Sequence, residues 1–363
     1  MGRWLDVLYG AAAAATAPIW GARMLRTGKW RTDWDARFAK QHALPELGEH
    51  PGGGTILIHA VSVGEVAATR LLIDKLHELA PDVRVVLAVT TDTGLARARS
   101  QFEGRIPIVR YPFDFTGPVH RFLDHIRPDV FATVELELWP NMVQACKRRG
   151  IRVCVINGRL SERSFRGYRK IRPLVRPMFA SLDLAAVQTQ EYADRFIALG
   201  TPADRVQVTD TMKWDTATIT DHVEGADELA EAMGIDRNKP IVVAGSTGKG
   251  EEKMFIERLP EGVQLVLVPR KPERFEEVAA LSPSMIRRSN HPDGTKRELD
   301  GSRLFLIDTM GELAKAYSLA DVAVVGRSFN GWGGSDPIEP IALGKATIVG
   351  PDHQNFAAIV EAL

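Results

Sequence analysis

The chain has 363 residues, 45 % of them apolar and 25 % charged, with 31 glycines and 21 prolines. At roughly 100–200 residues per domain that length predicts two domains with separate cores, and a composition near the globular average excludes wholesale disorder, collagen and coiled coil. Forty-six cations balance forty-six anions, which argues against a general nucleic-acid binder, and the two cysteines, Cys146 and Cys154, fit a reducing compartment.

The chain opens on LDVLYGAAAAATAPIWGARML, about twenty mostly apolar residues between Arg3 and Arg23, long enough to approach a bilayer span. Alanine makes the stretch weakly hydrophobic and Pro18 interrupts it. Trp4, Tyr9, Trp20, Trp30 and Trp34, with Arg23, Arg26, Lys29 and Arg31, have the make-up of an interfacial anchor. Residues 1–40 are therefore expected to form a membrane-associated helix and a basic-aromatic segment. Asp33-Trp34-Asp35 reads as helix surface.

After the Gly-rich stretch 51–54, TILIHAV (55–61) reads as a buried strand, Glu65 to Ala80 as a helix and VRVVLAV (83–89) as a second strand. Helix 94–102, strand IPIVRYP, helix 116–126, strand DVFATVE, helix 139–149 and strand IRVCVIN continue the alternation. A polar connector around 214–239 leads to a second series: IVVAG, VQLVLVP, SRLFLID, DVAVVG and KATIVG. Short apolar strands alternating with helices predict right-handed βαβ units and two doubly wound, Rossmann-like domains, 52–213 and 240–363. The second series stops soon after its last strand, so that domain is expected to be incomplete at its C-terminus.

Ligands of open α/β sheets sit beyond the carboxyl ends of the strands, which directs attention to a few loops. In HAVSVGEVAATR (59–70), Glu65 would be a carboxylate placed to take a proton from a hydroxyl. The string Ser62-Val63-Gly64-Glu65 equally fits a capping box, in which the carboxylate satisfies a backbone N–H; the spacing leaves both roles open. In VELELWPN (134–141), Glu135 and Glu137 end an apolar strand and are expected on one side of it. Carboxylates there are costly unless paired or wetted, which favours a site role. Between Lys147 and Arg176 stand eleven cations and one acid, Glu162. Arg159, Arg163, Arg166 and Arg169 recur at spacings that gather on a helix face, suited to phosphate oxygens or lipid head groups.

In the second half, AGSTGKGEE (244–252) offers an anion site where a strand hands over to a helix. It is not a Walker A motif: Gly245 and Gly248-Lys249 enclose two residues where four are required. PRKPERF supplies Arg270, DTMGEL supplies Gly311, and GRSFNGWGGSDPIEPIALGK brings Asp336 and Glu339 to a helix start. There is no HExxH or CxxC string, and the nine histidines are scattered, so no protein-built metal site is expected.

In this order, HAVSVGE, ELELWPN, NGRLSERSFRGYR, AGSTGKGEE, PRKPERF, DTMGEL and GGSDPIEPIALGKATIVGP resemble the 3-deoxy-D-manno-octulosonic acid (Kdo) transferases, from about residue 20 to the end. GKWRTDWDARF resembles the segment that follows that family's membrane anchor. The resemblance implies a GT-B fold, two Rossmann-like domains facing each other across a cleft. It implies inverting transfer of Kdo from CMP-Kdo to a lipid A precursor at the cytoplasmic face of the inner membrane, with no cofactor, metal or nucleic acid. Glu65 would be the general base, with Glu135 and Glu137 positioning the acceptor or neighbouring cations. Ser62, Gly64, Arg159, Arg163, Arg166 and Arg169 would meet the acceptor or lipid. Ser246 and Thr247 would lie at the anion-binding turn, and Lys213 and Arg270 would contact the donor's phosphate or carboxylate. Gly311, Glu312, Asp336 and Glu339 would hold cytidine and ribose, with Asn355 beside them. The family usually has His-Asn where this chain has Ser335-Asp336, and His-Glu where it has Gly248-Lys249. The alternatives are a uridine-dependent transferase or epimerase of the same fold, and a non-catalytic lipid A-binding protein.

Overall fold

The computed structural model describes residues 5–7, 9–11, 13–17, 33–48, 52–212, 220 and 222–361. It divides into two compact units, Met1–Thr216 and Ala217–Leu363. Each unit is built on a sheet whose strand pairs are all parallel.

The first sheet contains β1 (Thr55–Ala60), β2 (Arg84–Val89), β3 (Ile108–Arg110), β4 (Val130–Val134), β5 (Arg152–Gly158), β6 (Leu184–Val187) and β7 (Val206–Val208), in the order β3-β2-β1-β4-β5-β6-β7. The second contains β8 (Ile241–Thr247), β9 (Gln264–Pro269), β10 (Ile286–Arg287), β11 (Leu304–Leu306), β12 (Val322–Val325) and β13 (Ala346–Val349), in the order β10-β11-β9-β8-β12-β13. Near-continuous apolar runs form the central strands because helices cover both faces; all six residues of β9 are buried. Two apolar clusters flank each sheet, one holding Leu57, Phe122 and Phe131 and its counterpart Ile58, Leu87 and Phe102 in the first unit.

β6, β7 and β10 lie outside the ten strands expected from sequence. The burial signal is weak in two of them: β7 is an edge strand with two exposed residues, and β10 has only two residues. In β6 the apolar run is only four residues long.

A repeated device sets the strand starts. Asp129, Asp183 and Asp321 each stand just before a strand and accept an N–H from the first or second residue of its neighbour, at Thr55, Val153 and Ile241, all at 2.8 Å. An aspartate ahead of an apolar run thus satisfies a donor that the ladder leaves orphaned.

The switch of strand order falls between β1 and β4 in the first unit and between β8 and β12 in the second. Crevices at the carboxyl ends open at such points.

Near the N-terminus, residues 5–7, 9–11 and 13–17 are helical. Among the described residues no helix is long and apolar enough to cross a membrane, so the expected anchor is not supported as a span. Instead this stretch is tied to the first unit. Asp6 accepts from Thr116 N–H at 2.9 Å and from the Asn141 amide at 3.1 Å, and the Tyr9 hydroxyl donates to Asp114 at 3.1 Å. Trp4, Trp20, Arg23, Arg26, Lys29, Trp30 and Arg31 lie outside the described residues.

Candidate functional site

At the first switch point β1 runs into the helix Val63–Leu79, which Ser62 caps by accepting Glu65 N–H at 3.3 Å. The Ser62 hydroxyl donates to Glu65 Oε1 at 2.7 Å, and Val61 N–H donates to Oε2 at 2.8 Å. The capping pattern is therefore real, displaced by one residue from its usual backbone donor. It does not consume the carboxylate, since each oxygen keeps a lone pair. Burial pushes the Glu65 carboxyl above its ordinary range against those two hydrogen bonds, and the nearby charges of Glu135 and Glu137 add to the rise. Gly64 sits in the first helical turn rather than in a tight turn, and a Cβ there would meet only Ser62 Oγ at 4.0 Å.

β4 ends at Val134, so Glu135 and Glu137 lie beyond the strand and not on one of its sides. Glu135 adopts a left-handed backbone, φ 60°, which breaks the period of two. Its N–H still reaches Ile156 O at 3.0 Å. Glu137 accepts from the Trp139 indole at 2.9 Å, and burial, with Glu135 second, raises its carboxyl. Next along the sheet Asn157, buried and also left-handed (φ 53°), lies at an irregularity of β5. Its Oδ1 accepts from Gln188 and from Met212 N–H, both at 3.1 Å, which fixes the chain just before Lys213. Lys213 itself lies outside the described residues.

The basic run forms the helices Glu162–Lys170 and Arg172–Ala180. Tyr168 on the first is half-buried and feels Glu137, a secondary cause of its raised phenol after burial, so this helix stands beside the carboxylates. Arg163, Arg166 and Arg169 are exposed and Arg159 is half-buried. Arg166 pairs with Glu162 at 2.7 Å and Arg169 lies over Phe165. Ile171 and Leu174, 46 % and 67 % exposed, give the same surface an apolar edge.

At the second switch point Ser246 is left-handed (φ 53°) at the irregularity that ends β8. Thr247 is buried and its hydroxyl donates to Glu252 at 2.5 Å. Glu252, fully buried, takes two bonds from Arg274, at 2.7 and 2.8 Å. The following helix, Glu251–Glu257, has only seven residues and opens on two buried acids. Glu251 accepts N–H groups of Gly248, Arg327 and Phe329 at 2.7, 2.7 and 3.1 Å. A carboxylate of the chain itself thus takes the Gly248 N–H at the expected anion-binding turn.

Arg270 follows β9, with its N–H on Thr247 O at 3.2 Å. Ser335, buried, reaches Ser246 O at 3.4 Å, and Asp336 accepts the Ile338 N–H that opens the next helix at 3.1 Å. Gly311 has φ 87°, which favours glycine at that turn. Glu312 is bound by Arg288 Nε at 3.0 Å and Nη2 at 2.8 Å, and by the Thr309 hydroxyl. Its carboxylate braces the turn. Glu339 is exposed at the helix start, and Asn355 N–H meets Gly333 O at 2.9 Å.

Glu251, Glu252 and Arg274 lie in the strings AGSTGKGEE and PRKPERF without matching any of the ligand motifs there. A double acid opening a helix, with arginine downstream, was the signal for a buried ion pair.

The family model described as "3-Deoxy-D-manno-octulosonic-acid transferase (kdotransferase)" matches residues 32–216. A 3-deoxy-D-manno-octulosonic acid transferase of Haemophilus influenzae is 32% identical over 338 residues, covering 90% of this chain and 78% of its own length. One from Bordetella pertussis is 32% identical over 374 residues, covering 98% and 85% respectively. Among solved structures, the UDP-GlcNAc 2-epimerase of Neisseria meningitidis aligns with a TM-score of 0.54 at 14% identity, over 85% of this chain and 91% of its own. That likeness is one of fold alone.

Proposed function

The chain belongs to the 3-deoxy-D-manno-octulosonic-acid transferase family, and on that premise we propose that it transfers Kdo from CMP-Kdo to a lipid A precursor with Glu65 as general base. The observation that carries the reading is Glu65 itself: a partly buried carboxylate at the switch point, made more basic by burial and by two neighbouring carboxylates. A free glutamate, with a pKa of about 4.3, is a weak base near neutrality, so the rise suits proton abstraction.

One oxygen of Glu65 takes the proton of the acceptor hydroxyl while that hydroxyl's oxygen bonds to the anomeric carbon of Kdo. The bond from that carbon to the phosphate oxygen breaks, and CMP leaves with the electron pair. A single displacement of this kind inverts the anomeric centre. Val61 N–H and the Ser62 hydroxyl orient the carboxylate, while Glu135 and Glu137 tune it and position the acceptor. In the second unit Ser246, Asp336, Glu339 and Asn355 would line the nucleotide, with Arg270 on its charges. The resemblance to GT-B enzymes belongs to this proposal. So does a membrane surface as partner, at the cytoplasmic face of the inner membrane: exposed Arg163, Arg169, Arg172 and Arg176 stand with Ile171 and Leu174, a mix suited to anionic head groups.

Incubation with CMP-Kdo and a tetraacylated lipid A precursor, followed by mass spectrometry, tests the proposal. The product should gain Kdo with the wild type and none with Glu65→Gln, which keeps the side chain's shape and its cap. Near-wild-type turnover of that variant would reduce Glu65 to a capping residue.

A further inference from the structure

Among the described residues of the second unit two non-glycine residues are left-handed, Ser246 and Arg327. Arg327 follows β12 with φ 61°, a left-handed conformation uncommon for non-glycine residues other than Asn, Asp and His. Such strain persists only where the surroundings over-determine it, and here they do. Arg327 N–H is bound by Glu251 at 2.7 Å, and its carbonyl accepts Gly334 N–H at 2.8 Å. Just before it, Gly326 packs so tightly on β8 that a Cβ would stand 2.5 Å from Thr247 Cα. Glycine would sit at position 327 without strain, so the arginine side chain is retained against a local preference.

That side chain is also placed. Its stem lies against Gly248, where an added Cβ would be 3.2 Å from Arg327 Cγ. Its guanidinium stands 5.8 Å from the centre of the Trp332 ring. β8 lies between β9 and β12, so Arg270 and Arg327 flank the left-handed Ser246 from the two neighbouring strands. Among the described residues neither guanidinium has a carboxylate within ion-pairing distance; the Asp336 charge is near enough to act on Arg270, and Arg327 Nη2 donates to Trp332 O at 3.5 Å. The two cations are near enough for Arg327 to lower the Arg270 guanidinium, behind burial as the main cause. Two like charges held together at a ligand-binding edge destabilise the protein until an anion joins them.

We propose that Arg327 is a donor-binding residue which, with Arg270, forms a two-armed cationic clamp for the negative charges of the donor. The proposal rests on the reading of the second unit as the donor site. A cytidine monophosphate ester of a sugar acid carries two anionic groups, the bridging phosphate and the sugar carboxylate. At this edge Glu251 already holds the backbone N–H groups of Gly248, Arg327 and Phe329. Arginine offers a planar fork to either.

The test compares wild type, Arg327→Gly and Arg327→Lys in three measurements: Kd for CMP by calorimetry, KM and kcat for CMP-Kdo, and Tm. Arg327→Gly should keep or raise Tm, because glycine relieves the left-handed strain. It should raise the CMP Kd, the CMP-Kdo KM or both about tenfold, as expected for one charge-assisted hydrogen bond, with a smaller change in kcat. Arg327→Lys should recover part of the loss. A rise with CMP places Arg327 on the phosphate; a rise confined to CMP-Kdo places it on the sugar carboxylate, and either supports the clamp. If both constants of Arg327→Gly stay within twofold of a wild type that binds CMP, the clamp is wrong while the donor reading stands. If folded wild type binds neither ligand, the donor reading falls and the clamp with it.

Discussion

Replacing Glu252 by glutamine should destabilise the second unit far more than a change of one oxygen to NH2 implies. Glu252 is fully buried, and 13 % of the Arg274 side chain is exposed. Two charge-assisted bonds join them, and the Thr247 hydroxyl supplies a third to the same carboxylate. Removing one member of a buried pair strands the other charge and costs about 3–5 kcal/mol. Arg274 has a second acid within reach, Glu277 at 3.5 Å and half exposed, so the low end, about 3 kcal/mol, is expected. For a unit of about 150 residues that corresponds to a fall in Tm of about 10 °C. Differential scanning calorimetry of the full chain reads it, with Glu277→Gln as a control that should shift Tm by no more than about 1–2 °C. The double variant Glu252→Gln/Arg274→Gln should lose less than the sum of the single changes. A Tm for Glu252→Gln within about 2 °C of wild type would refute the argument that this pair holds the β8 and β9 loops together.

Other outcomes follow from the same structure. Burial pushes the Asp114 carboxyl up to about 6 from 3.8, against hydrogen bonds from Asn141 N–H, Met142 N–H and Tyr9. The folded state therefore holds this proton more tightly than the unfolded one. Stability from this group is full below about pH 4 and falls as pH rises to about 6; chemical denaturation across that window should show a shallower decline for Asp114→Asn. Because Glu65 must be ionised to act, the acid limb of kcat/KM should lie above the ordinary glutamate range, with activity rising with pH through it. Glu137→Gln, which removes one repelling charge, should move that limb down, and an unmoved limb would remove Glu65 from the rate profile. Gly326→Ala should fail to fold or melt many degrees lower, because backbone rather than a yielding side chain opposes the new Cβ; a Tm like wild type would show that the β8–β12 contact is loose. Reversing Arg163 and Arg169 together to glutamate should weaken co-sedimentation with vesicles of anionic phospholipid about tenfold or more, near 1 kcal/mol per lost cation, and equal sedimentation would exclude this face as the membrane contact.

The chain's hydrophobic pattern encodes the alternation of apolar strands with helices, because a strand buried on both faces needs an unbroken apolar run. It also sets the order of the site loops, because glycines and polar residues collect where those strands end. The family was legible too, in strings such as HAVSVGE and DTMGEL. What each charged residue in those strings bonds to becomes visible in the folded chain, because a carboxylate's partners include donors that reach it from elsewhere in the sequence. Glu65 meets its capping donors from residues three and four positions away, a pattern visible in the string. Glu251 is claimed by N–H groups 76 and 78 positions away, and Glu312 by an arginine 24 positions away. No local pattern encodes those meetings. The left-handed turns at Glu135, Ser246 and Arg327 are equally non-local, since packing rather than residue preference holds each in place. Hence the period of two misplaced Glu135 and Glu137, and spacing alone passed over Arg327.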